Sequence, residues 1–441
     1  PRSTMDLAIC ATAHPTAAAA SAALRVPSGK ARIVSSCPAA SSAARTRSTE
    51  PPDTAISPCA MEPLALYIHW PFCAAKCPYC DFNSHVRDRV DHAAFAAALR
   101  AELAHEAAKA GRRPLASIFF GGGTPSLMAP ATVAALIGDA TRLFDPTPDM
   151  EITLEANPTS VERDRLRDFR AAGVNRASLG VQALDTAALS FLGRRHDVAE
   201  AMRALEFARE TFPRLSFDLI YARPGQAESA WRAELRAALA LAADHLSLYQ
   251  LTVEPGTRFA TEHARGAFAL PEGEDAARLY LATAEEAARF GLHRYEISNY
   301  AKPGAESRHN LTYWRYGDYL GIGAGAHQRL TLADGTILAT RRHRAPEEWL
   351  ARVTRDGHAI TEEESLAPLD RAREALLMGL RLAEGVDPAR IESRSTLRFD
   401  QAVDAAMLDT LIGEGLLAWR GARLAATEDG LLRLDSLLPL L

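Results

Sequence analysis

The 441-residue sequence is poor in cysteine, has no excess of basic residues and contains no apolar run of 18 residues. Six cysteines are too few for a disulfide-stapled scaffold, and three fall within eight residues, which indicates a reduced compartment. The formal net charge of -5 argues against nucleic-acid binding, for which a basic face is typical. Because a membrane-spanning helix needs a longer apolar run, no transmembrane segment is predicted, and the expected location is cytoplasmic.

The first 60 residues differ in composition from the rest of the chain. They are dominated by alanine, serine, threonine and proline, and they show neither helical nor strand periodicity. Two interpretations stay open: a transit peptide, which is typically Ser-rich and acid-poor, or an over-extended reading frame upstream of a start at Met61. The second is favoured because the segment lacks an Arg-rich amphipathic helix. Residues 1–60 are therefore predicted to be either a disordered tail or an over-extended reading frame, and to lie outside the fold.

From residue 61 onward, short β-branched or aromatic runs alternate with amphipathic stretches rich in alanine, leucine and arginine. Near-continuous apolar strands separated by helices are typical of parallel βαβ units. The strand candidates are residues 65–71, 116–123, 150–158, 176–182, 215–225 and 246–256. Small, polar or charged residues accompany their ends, and α/β barrels carry their functional site at the carboxyl ends of the strands. The pattern predicts an α/β fold with a partial (β/α)6 barrel over residues 61–290.

Two further units are predicted after the barrel. Residues 291–360 form a barrel-flanking α+β extension that begins with a strand candidate at 294–304. Residues 361–441 contain two amphipathic helices and a short hairpin around Arg420, an order that resembles a small winged-helix-like domain. Because this domain lacks a basic recognition helix, we expect it to pack against the barrel rather than to bind DNA.

Cys73, Cys77 and Cys80 form a C-x3-C-x2-C pattern, and no cysteine follows them in the chain. Three thiolates can hold three irons of a [4Fe–4S] cubane and leave the fourth iron open to another ligand. Buried structural thiols are less compatible with the polar loop that follows. Zinc with a fourth protein ligand is the other alternative. The candidate fourth ligands for zinc are His69, Asp81 and His85.

The cysteine pattern, with an aromatic residue at Tyr79 and three glycines at 121–123 after the second strand, resembles the radical S-adenosylmethionine (SAM) superfamily. In that superfamily the amino and carboxylate groups of SAM chelate the open iron, and an electron from the cluster cleaves the sulfonium. The resemblance implies that the glycines, whose backbone is unobstructed by side chains, contact the methionine moiety. It also implies that Glu155 binds the SAM ribose.

The resemblance covers almost the whole chain from residue 61 and is closest to the oxygen-independent coproporphyrinogen III oxidases and their relatives. It depends on the motifs YIHWPFC, GGGTPS, EANP, GVNRASLGVQALD, LGRRHD, DLIYARPGQ and LYQLTVEPGT, in that order. Because the oxidases hold two SAM molecules, the resemblance implies two sets of contacts. The first set comprises Tyr67, Gly122 and Glu155. The second set comprises Tyr79, Gly123, Thr124, Gln182, Arg194 and Asp218.

Two features depart from the oxidases. Phe82 stands where their motif has a further cysteine, and the chain carries HNLTYW at residues 309–314. Both features resemble the haem chaperone (HemW) branch of the family, which is taken to bind haem and pass it to acceptor proteins. The resemblance implies a haem carrier whose cofactors are a [4Fe–4S] cluster, SAM and haem. Its implied partners are an unidentified acceptor protein and, if the cluster is redox active, an electron donor.

The HNLTYW segment supplies the expected haem contacts. His309 is the expected axial ligand, because imidazole is a common protein ligand of haem iron, and aromatic neighbours suit a porphyrin face. Asn310 or Tyr313 is expected to anchor a propionate. The expected haem residues are His309, Asn310, Tyr313 and Trp314, with His327 as the reserve ligand. Two enzymatic alternatives stay open: decarboxylation of coproporphyrinogen III propionates, and radical chemistry on an unrelated substrate.

Overall fold

The computed structural model describes residues 62–242 and 244–441, so the tail predicted over residues 1–60 lies outside the described residues. Strands and helices alternate through the first part of this range. The strands are β1 (Leu64–Trp70), β2 (Phe72–Cys73), β3 (His85–Val86), β4 (Pro114–Gly122), β5 (Asp145–Ala156), β6 (Arg176–Gln182), β7 (Arg214–Tyr221) and β8 (His245–Gln250). The helices are α1 (His92–Ala110), α2 (Pro130–Leu143), α3 (Ser160–Ala171), α4 (Thr186–Phe191), α5 (Val198–Thr211), α6 (Glu228–Leu241), α7 (Arg258–Ala264) and α8 (Glu274–Arg289).

Six of these strands form the barrel. β1 and β4 to β8 lie side by side in that order, and each pairs in parallel with the next. This arrangement confirms the predicted partial (β/α)6 barrel. Two strands are shorter than predicted: β7 ends where Ala222 adopts a φ of 55°, and β8 ends at Gln250, ahead of the turn that contains Gly256.

Alternate residues of the barrel strands face opposite sides of the sheet. On β1, Leu66 and Ile68 belong to the main hydrophobic core, which also contains residues of the surrounding helices such as Leu99 of α1. Tyr67 of β1 and Phe119 of β4 belong to a separate, small cluster on the other face. Because side chains alternate along a strand, this second face lines the barrel interior, where the predicted site residues are found.

The extension continues the same sheet. Its elements are β9 (His293–Arg294), β10 (Asn299–Ala301), α9 (Arg308–Trp314), β11 (Tyr319–Ile322), β12 (His327–Thr331), β13 (Ile337–Arg342), α10 (Pro346–Asp356) and β14 (Ile360–Ser365). β11 pairs in parallel with β1, and β12 to β14 follow as antiparallel strands. The extension therefore runs a few residues past the boundary expected at residue 360.

Two buried carboxylates connect helix α1 to the extension. Glu102 accepts hydrogen bonds from the backbone N–H groups of Gly323 (2.8 Å) and Ala359 (3.0 Å). Glu106 pairs with Arg342 at 2.8 Å, and both side chains are fully buried. A buried ion pair is sensitive to the loss of either partner, so these contacts fix the extension against the barrel.

The C-terminal domain forms a second hydrophobic core, to which helix α9 of the extension contributes Tyr313 and Trp314. Its elements are α11 (Pro368–Gly379), α12 (Pro388–Ser395), α13 (Phe399–Ala402), α14 (Ala405–Gly413), β15 (Leu417–Arg420), β16 (Arg423–Ala426), α15 (Glu428–Leu431) and α16 (Leu434–Leu437). The antiparallel pair β15–β16 forms the hairpin predicted around Arg420. Helix α12 was not predicted, although Asp387 caps it and Pro388 begins it. None of the described helices is both long and apolar enough to cross a membrane.

Candidate functional site

The three predicted cysteines lie on one loop at the carboxyl end of β1. The loop is held at two points: the N–H of Cys80 donates to the carbonyl of Cys77 (3.2 Å), and the N–H of Phe259 in α7 donates to the carbonyl of Pro78 (2.9 Å). The loop ends at His85, whose backbone N–H donates to the carbonyl of Pro71 at 2.7 Å. The local backbone thus holds all three thiols on a short, anchored segment.

Two of the three thiols have a polar neighbour from a distant part of the chain. Thr124 Oγ1 donates to Cys73 Sγ at 3.4 Å, and Arg194 Nη1 donates to Cys77 Sγ at 3.3 Å. Burial raises the pKa of the Cys73 thiol, and it raises the pKa of Cys80 to about 11. Since iron binds thiolates, filling this site releases protons, and the Arg194 guanidinium favours the anionic sulfur.

The donor set suits a cluster better than a single ion. Among the described residues, no three His, Cys, Asp or Glu side chains are grouped closely enough to share one metal ion. A cubane does not need such a group, because each thiolate binds a different iron. His69, a candidate fourth zinc ligand, uses both ring nitrogens: Nδ1 lies 2.9 Å from the hydroxyl of Tyr67, and Nε2 donates to the carbonyl of Asn83 at 2.9 Å.

The glycine run after β4 lies directly beside the cysteine loop. The N–H of Gly123 donates to the carbonyl of Trp70 at 2.7 Å. A Cβ atom on Gly122 would lie 2.6 Å from the His69 ring, and one on Gly123 would lie 2.6 Å from the carbonyl oxygen of Phe72. Gly122 also has a φ of 112°. Only glycine fits these two positions, and the backbone is left open to the cavity.

Two acidic side chains face the same cavity from β5 and β7. Burial and, after it, the nearby Asp218 raise the pKa of Glu155 to about 8. Burial also raises the pKa of Asp218, to about 6. Glu155 Oε2 accepts a hydrogen bond from the N–H of Gly122 at 3.3 Å. Two buried carboxylates that are both ionised repel each other in the absence of a ligand. A ligand that donates hydrogen bonds from hydroxyl or ammonium groups would reduce this repulsion.

The raised pKa of Glu155 predicts how the ligand-free protein responds to pH. The folded chain holds this proton more tightly than the unfolded chain, whose pKa is 4.5, so the stabilisation is complete below pH 4.5 and is lost as pH rises through about 8. We expect Glu155→Gln to reduce this loss by on the order of 2 kcal/mol. Urea unfolding at pH 6 and pH 8.5 measures it. If Glu155→Gln loses as much unfolding free energy between the two pH values as the wild type does, the loss does not come from Glu155. Glu348→Gln on the surface serves as the control.

Arg194 connects the cysteine loop to the strand ends. Its Nη2 donates to Asn157 Oδ1 (2.6 Å) and to the carbonyl of Gly180 (2.8 Å), while Nη1 approaches the Tyr79 hydroxyl at 3.4 Å. Gln182, at the end of β6, has a φ of 71°, which is unusual for a residue with a side chain. Such strain is concentrated at functional sites, in agreement with the location of Gln182 on the cavity wall.

These groups enclose a cavity of about 1300 Å³, including the part that opens to solvent. Its wall includes the three cysteines and most of the residues predicted to contact SAM, namely Tyr79, Gly122, Gly123, Thr124, Glu155, Gln182, Arg194 and Asp218. The buried Tyr249 hydroxyl and Glu254 Oε1 have no hydrogen-bond partner among the described residues, and both residues line the cavity. A polar ligand of the size of SAM fits this lining.

Some residues of this site escaped the sequence analysis. Tyr249 and Asn157 were not assigned to ligand binding, although both lie at strand ends, where barrel sites are found. The Ser84 hydroxyl lies 3.9 Å from Cys80 Sγ. No sequence pattern indicates this contact, because it depends on how the loop folds back. Tyr67, in contrast, was expected at the SAM site, but its buried side chain lies within the barrel and is absent from the cavity wall.

The HNLTYW segment lies at the opposite end of the barrel. It forms helix α9, whose neighbours are the first parts of the strands: Ser117 Oγ lies 2.8 Å from His309 Nδ1, and Glu151 accepts from the N–H of His309 at 3.3 Å. The Tyr313 hydroxyl lies 2.5 Å from His309 Nε2. His309 is buried, its ring stacks on Phe119 at 4.9 Å, and burial lowers its pKa to about 3. A neutral imidazole with both nitrogens engaged closes the barrel floor.

The other predicted haem residues are divided between two surroundings. Asn310, Tyr313 and Trp314 are all buried. The Tyr313 hydroxyl contacts His309, whereas Trp314 packs in the hydrophobic core of the C-terminal domain and borders a cleft outside the barrel. His327 lies on β12 and pairs with Arg341 of β13, and burial lowers its pKa to about 3. The reserve ligand therefore lies on the extension sheet rather than on helix α9.

Two protein-family models and several known proteins match this chain. The Radical SAM superfamily model matches residues 67–238, and the HemN C-terminal domain model matches residues 366–433. The heme chaperone HemW of Escherichia coli is 38% identical over 382 residues, covering 86% of this chain and 98% of that protein. This chain belongs to the HemW family of radical SAM proteins. Family membership implies a [4Fe–4S] cluster and SAM, for which the upper cavity has suitable donors.

A second relative and one solved structure extend the comparison. The bovine radical S-adenosyl methionine domain-containing protein 1, mitochondrial, is 40% identical over 382 residues, covering 85% of this chain and 86% of that protein. The structure of coproporphyrinogen III oxidase (HemN) from Escherichia coli matches with a TM-score of 0.71 and 25% identity, covering 86% of this chain and 90% of that one. The expected radical SAM fold is therefore confirmed over the barrel, the extension and the C-terminal domain.

Proposed function

We propose that this protein is a haem carrier built on a radical SAM scaffold. Cys73, Cys77 and Cys80 hold a [4Fe–4S] cluster, and SAM binds the open iron. When bound, the cluster supplies single electrons to the sulfonium of SAM. The residues proposed to contact SAM are Tyr67, Tyr79, Gly122, Gly123, Thr124, Glu155, Gln182, Arg194 and Asp218. Helix α9 contributes to haem binding through His309, Asn310, Tyr313 and Trp314.

One observation carries this proposal: the similarity to the heme chaperone HemW of Escherichia coli extends over 98% of that protein. The similarity is thus not limited to the barrel, which many enzymes share, but includes helix α9 and the C-terminal domain. Such end-to-end similarity supports a shared function better than a shared fold does. We infer haem as cargo and a haem-accepting protein as partner, and the cytoplasmic location stays a prediction.

The second candidate is an oxygen-independent coproporphyrinogen III oxidase. The structural similarity to HemN favours it, as do the retained Glu155 and Arg194 in the upper cavity. Phe82, which is 38% exposed and borders the cavity, counts against it because the oxidase motif has a cysteine there. The carrier has a structural requirement of its own. The Tyr313 hydroxyl must release His309 Nε2 before that nitrogen can bind iron.

A product assay separates the two candidates. The reconstituted protein is incubated without oxygen with a reductant, SAM and coproporphyrinogen III, and a parallel sample receives haem. We expect the haem sample to hold bound haem after gel filtration and the porphyrinogen sample to contain no protoporphyrinogen. Protoporphyrinogen formed in proportion to the enzyme would overturn the carrier in favour of the oxidase. Neither product nor bound haem would leave only the unrelated radical enzyme.

A further inference from the structure

The last barrel strand brings two further polar side chains to the upper cavity. Tyr249 lies near the end of β8 and Glu254 lies in the turn that follows, and both border the cavity that contains the cysteine loop. The Tyr249 hydroxyl and Glu254 Oε1 are buried and have no hydrogen-bond partner among the described residues. Because a buried polar group without a partner is costly, we expect a bound ligand to supply the missing partner of each.

The register of the sheet places the Tyr249 side chain on the inner face of the barrel. Ser247 and Tyr249 of β8 pair with Asp218 and Ile220 of β7, so the side chains of all four residues lie on one face. Burial, together with the nearby Asp218, raises the pKa of Tyr249 well above its ordinary value. The phenol therefore stays neutral, and its O–H group can both donate and accept a hydrogen bond.

Glu254 is held in place by the helix that also anchors the cysteine loop. Its backbone carbonyl accepts hydrogen bonds from the N–H group and the hydroxyl of Thr257, at 3.2 and 2.6 Å. Thr257 caps helix α7, in which the N–H of Phe259 donates to the carbonyl of Pro78. The backbone of Glu254 is thus fixed relative to the thiols, and such support is typical of residues that position a ligand.

The wall formed by the strand ends is rich in carboxylates. Glu155, Asp218 and Glu254 border the cavity from β5, β7 and the turn after β8. Arg194 borders it too, but its guanidinium donates to Cys77 Sγ and to acceptors at the strand ends. Two exposed residues of opposite charge complete the charged lining: Lys76 and Asp81. A positively charged ligand favours the ionised form of the carboxylates and complements this wall.

The charge of this wall matches SAM better than its neutral analogue S-adenosylhomocysteine. SAM has a positively charged sulfonium where S-adenosylhomocysteine has a neutral thioether. The two molecules share the adenine, the ribose and the amino acid groups. A carboxylate on the wall can therefore distinguish them by charge, whereas a neutral phenol cannot.

We propose that Tyr249 and Glu254 are positioning residues of the SAM site. The Glu254 carboxylate selects the positively charged ligand, and the Tyr249 hydroxyl forms a hydrogen bond with a group that SAM and S-adenosylhomocysteine share. This assignment rests on the proposed function, to which it adds two contacts from β8 and the turn after it.

The test is equilibrium dialysis of the cluster-reconstituted protein against each ligand, without oxygen and without a reductant, so that SAM stays intact. The wild type should bind SAM at least about tenfold more tightly than S-adenosylhomocysteine. Glu254→Gln keeps the shape of the side chain but removes its charge. It should weaken SAM binding at least about tenfold and change the affinity for S-adenosylhomocysteine much less. Equal losses for the two ligands, or no loss for either, would overturn charge selection by Glu254.

Tyr249→Phe tests the second contact independently. The variant loses only the hydroxyl, so it should weaken the binding of SAM and of S-adenosylhomocysteine by the same factor, about threefold to tenfold. An unchanged affinity for both ligands would show that the hydroxyl does not contact them. A loss confined to SAM would contradict the assignment of this hydroxyl to a shared group.

Glu272→Gln is the matched control. Glu272 is exposed just before α8 and does not border the cavity, so this variant should bind both ligands as the wild type does. Iron analysis and urea unfolding of each variant separate a lost contact from a lost cluster or a folding defect. A wild type that holds about four irons and binds neither ligand would instead overturn the radical SAM part of the proposed function.

Discussion

Replacement of Cys77 by alanine will abolish cluster assembly. The loop supplies three thiols, and each is proposed to bind a different iron of the cubane, so the loss of one thiolate would leave too few ligands to hold the cluster. The substitution should also affect Arg194. Its Nη1 lies 3.3 Å from Cys77 Sγ and would lose this hydrogen-bond partner. Anaerobic reconstitution followed by iron analysis should give about four irons per wild-type chain and close to none in the variant.

The chain offers a matched control for this experiment. Asp88→Ala changes an exposed side chain just beyond the cysteine loop and should leave the iron content at the wild-type value. Cys77 is only half-buried on its loop, so the variant should unfold at nearly the same urea concentration as the cluster-free wild type. A Cys77→Ala protein that retains the full iron content would show that the cluster is held elsewhere.

The second large effect is expected at the floor of the barrel. Glu151 is buried, and its Oε2 accepts from Arg214 Nη1 at 2.6 Å and lies 3.9 Å from Arg176 Nε. Its Oε1 accepts from Ser307 Oγ and from the N–H of His309, both at 3.3 Å, and so anchors the first turn of α9. Glu151→Gln keeps the size of the side chain but removes the carboxylate that pairs with Arg214 and with the buried Arg176.

We expect Glu151→Gln to lower the free energy of unfolding by about 3–5 kcal/mol, as is typical when one partner of a buried ion pair is removed. Asp149→Asn is the matched control: Asp149 lies on the same strand and pairs with Arg308, but its side chain is 63% exposed, so the cost should be about 0–1 kcal/mol. Urea unfolding measures both values, and hydrogen exchange should show faster exchange of the α9 amides in Glu151→Gln. Equal costs for both variants would contradict the role of Glu151.

The barrel could be predicted from the sequence because its signals are local. Each buried strand is a short apolar run, and the glycines and polar residues that follow it are adjacent in the chain. The cysteine loop is equally local, since its spacing alone limits the metals it can hold. Gly122 and Gly123 were recognised as part of the site from the glycine run alone, although their close neighbours, His69 and Phe72, are known only from the structure.

The environment of helix α9 could not be predicted in this way. His309 meets Ser117, which is 192 positions away along the chain, and no sequence pattern announces that contact. We expected His309 to bind haem iron because it is a histidine within the HNLTYW segment. The structure adds that its side chain points toward the barrel floor. Similarly, Tyr67 shares β1 with the residues that lead to the cluster loop, but side-chain alternation and its hydrogen bond to His69 keep it within the barrel. Helix α12, in contrast, had a readable start in Asp387 and Pro388.

Haem binding by the reconstituted wild-type protein is the measurement that tests the central claim most directly. Haem is titrated into the protein without oxygen, and the Soret band and the haem in the gel-filtered protein are quantified. We expect a saturable change that ends at about one haem per chain, because each chain has a single HNLTYW segment. A haem spectrum that stays identical to that of free haem at every protein concentration would contradict the haem carrier.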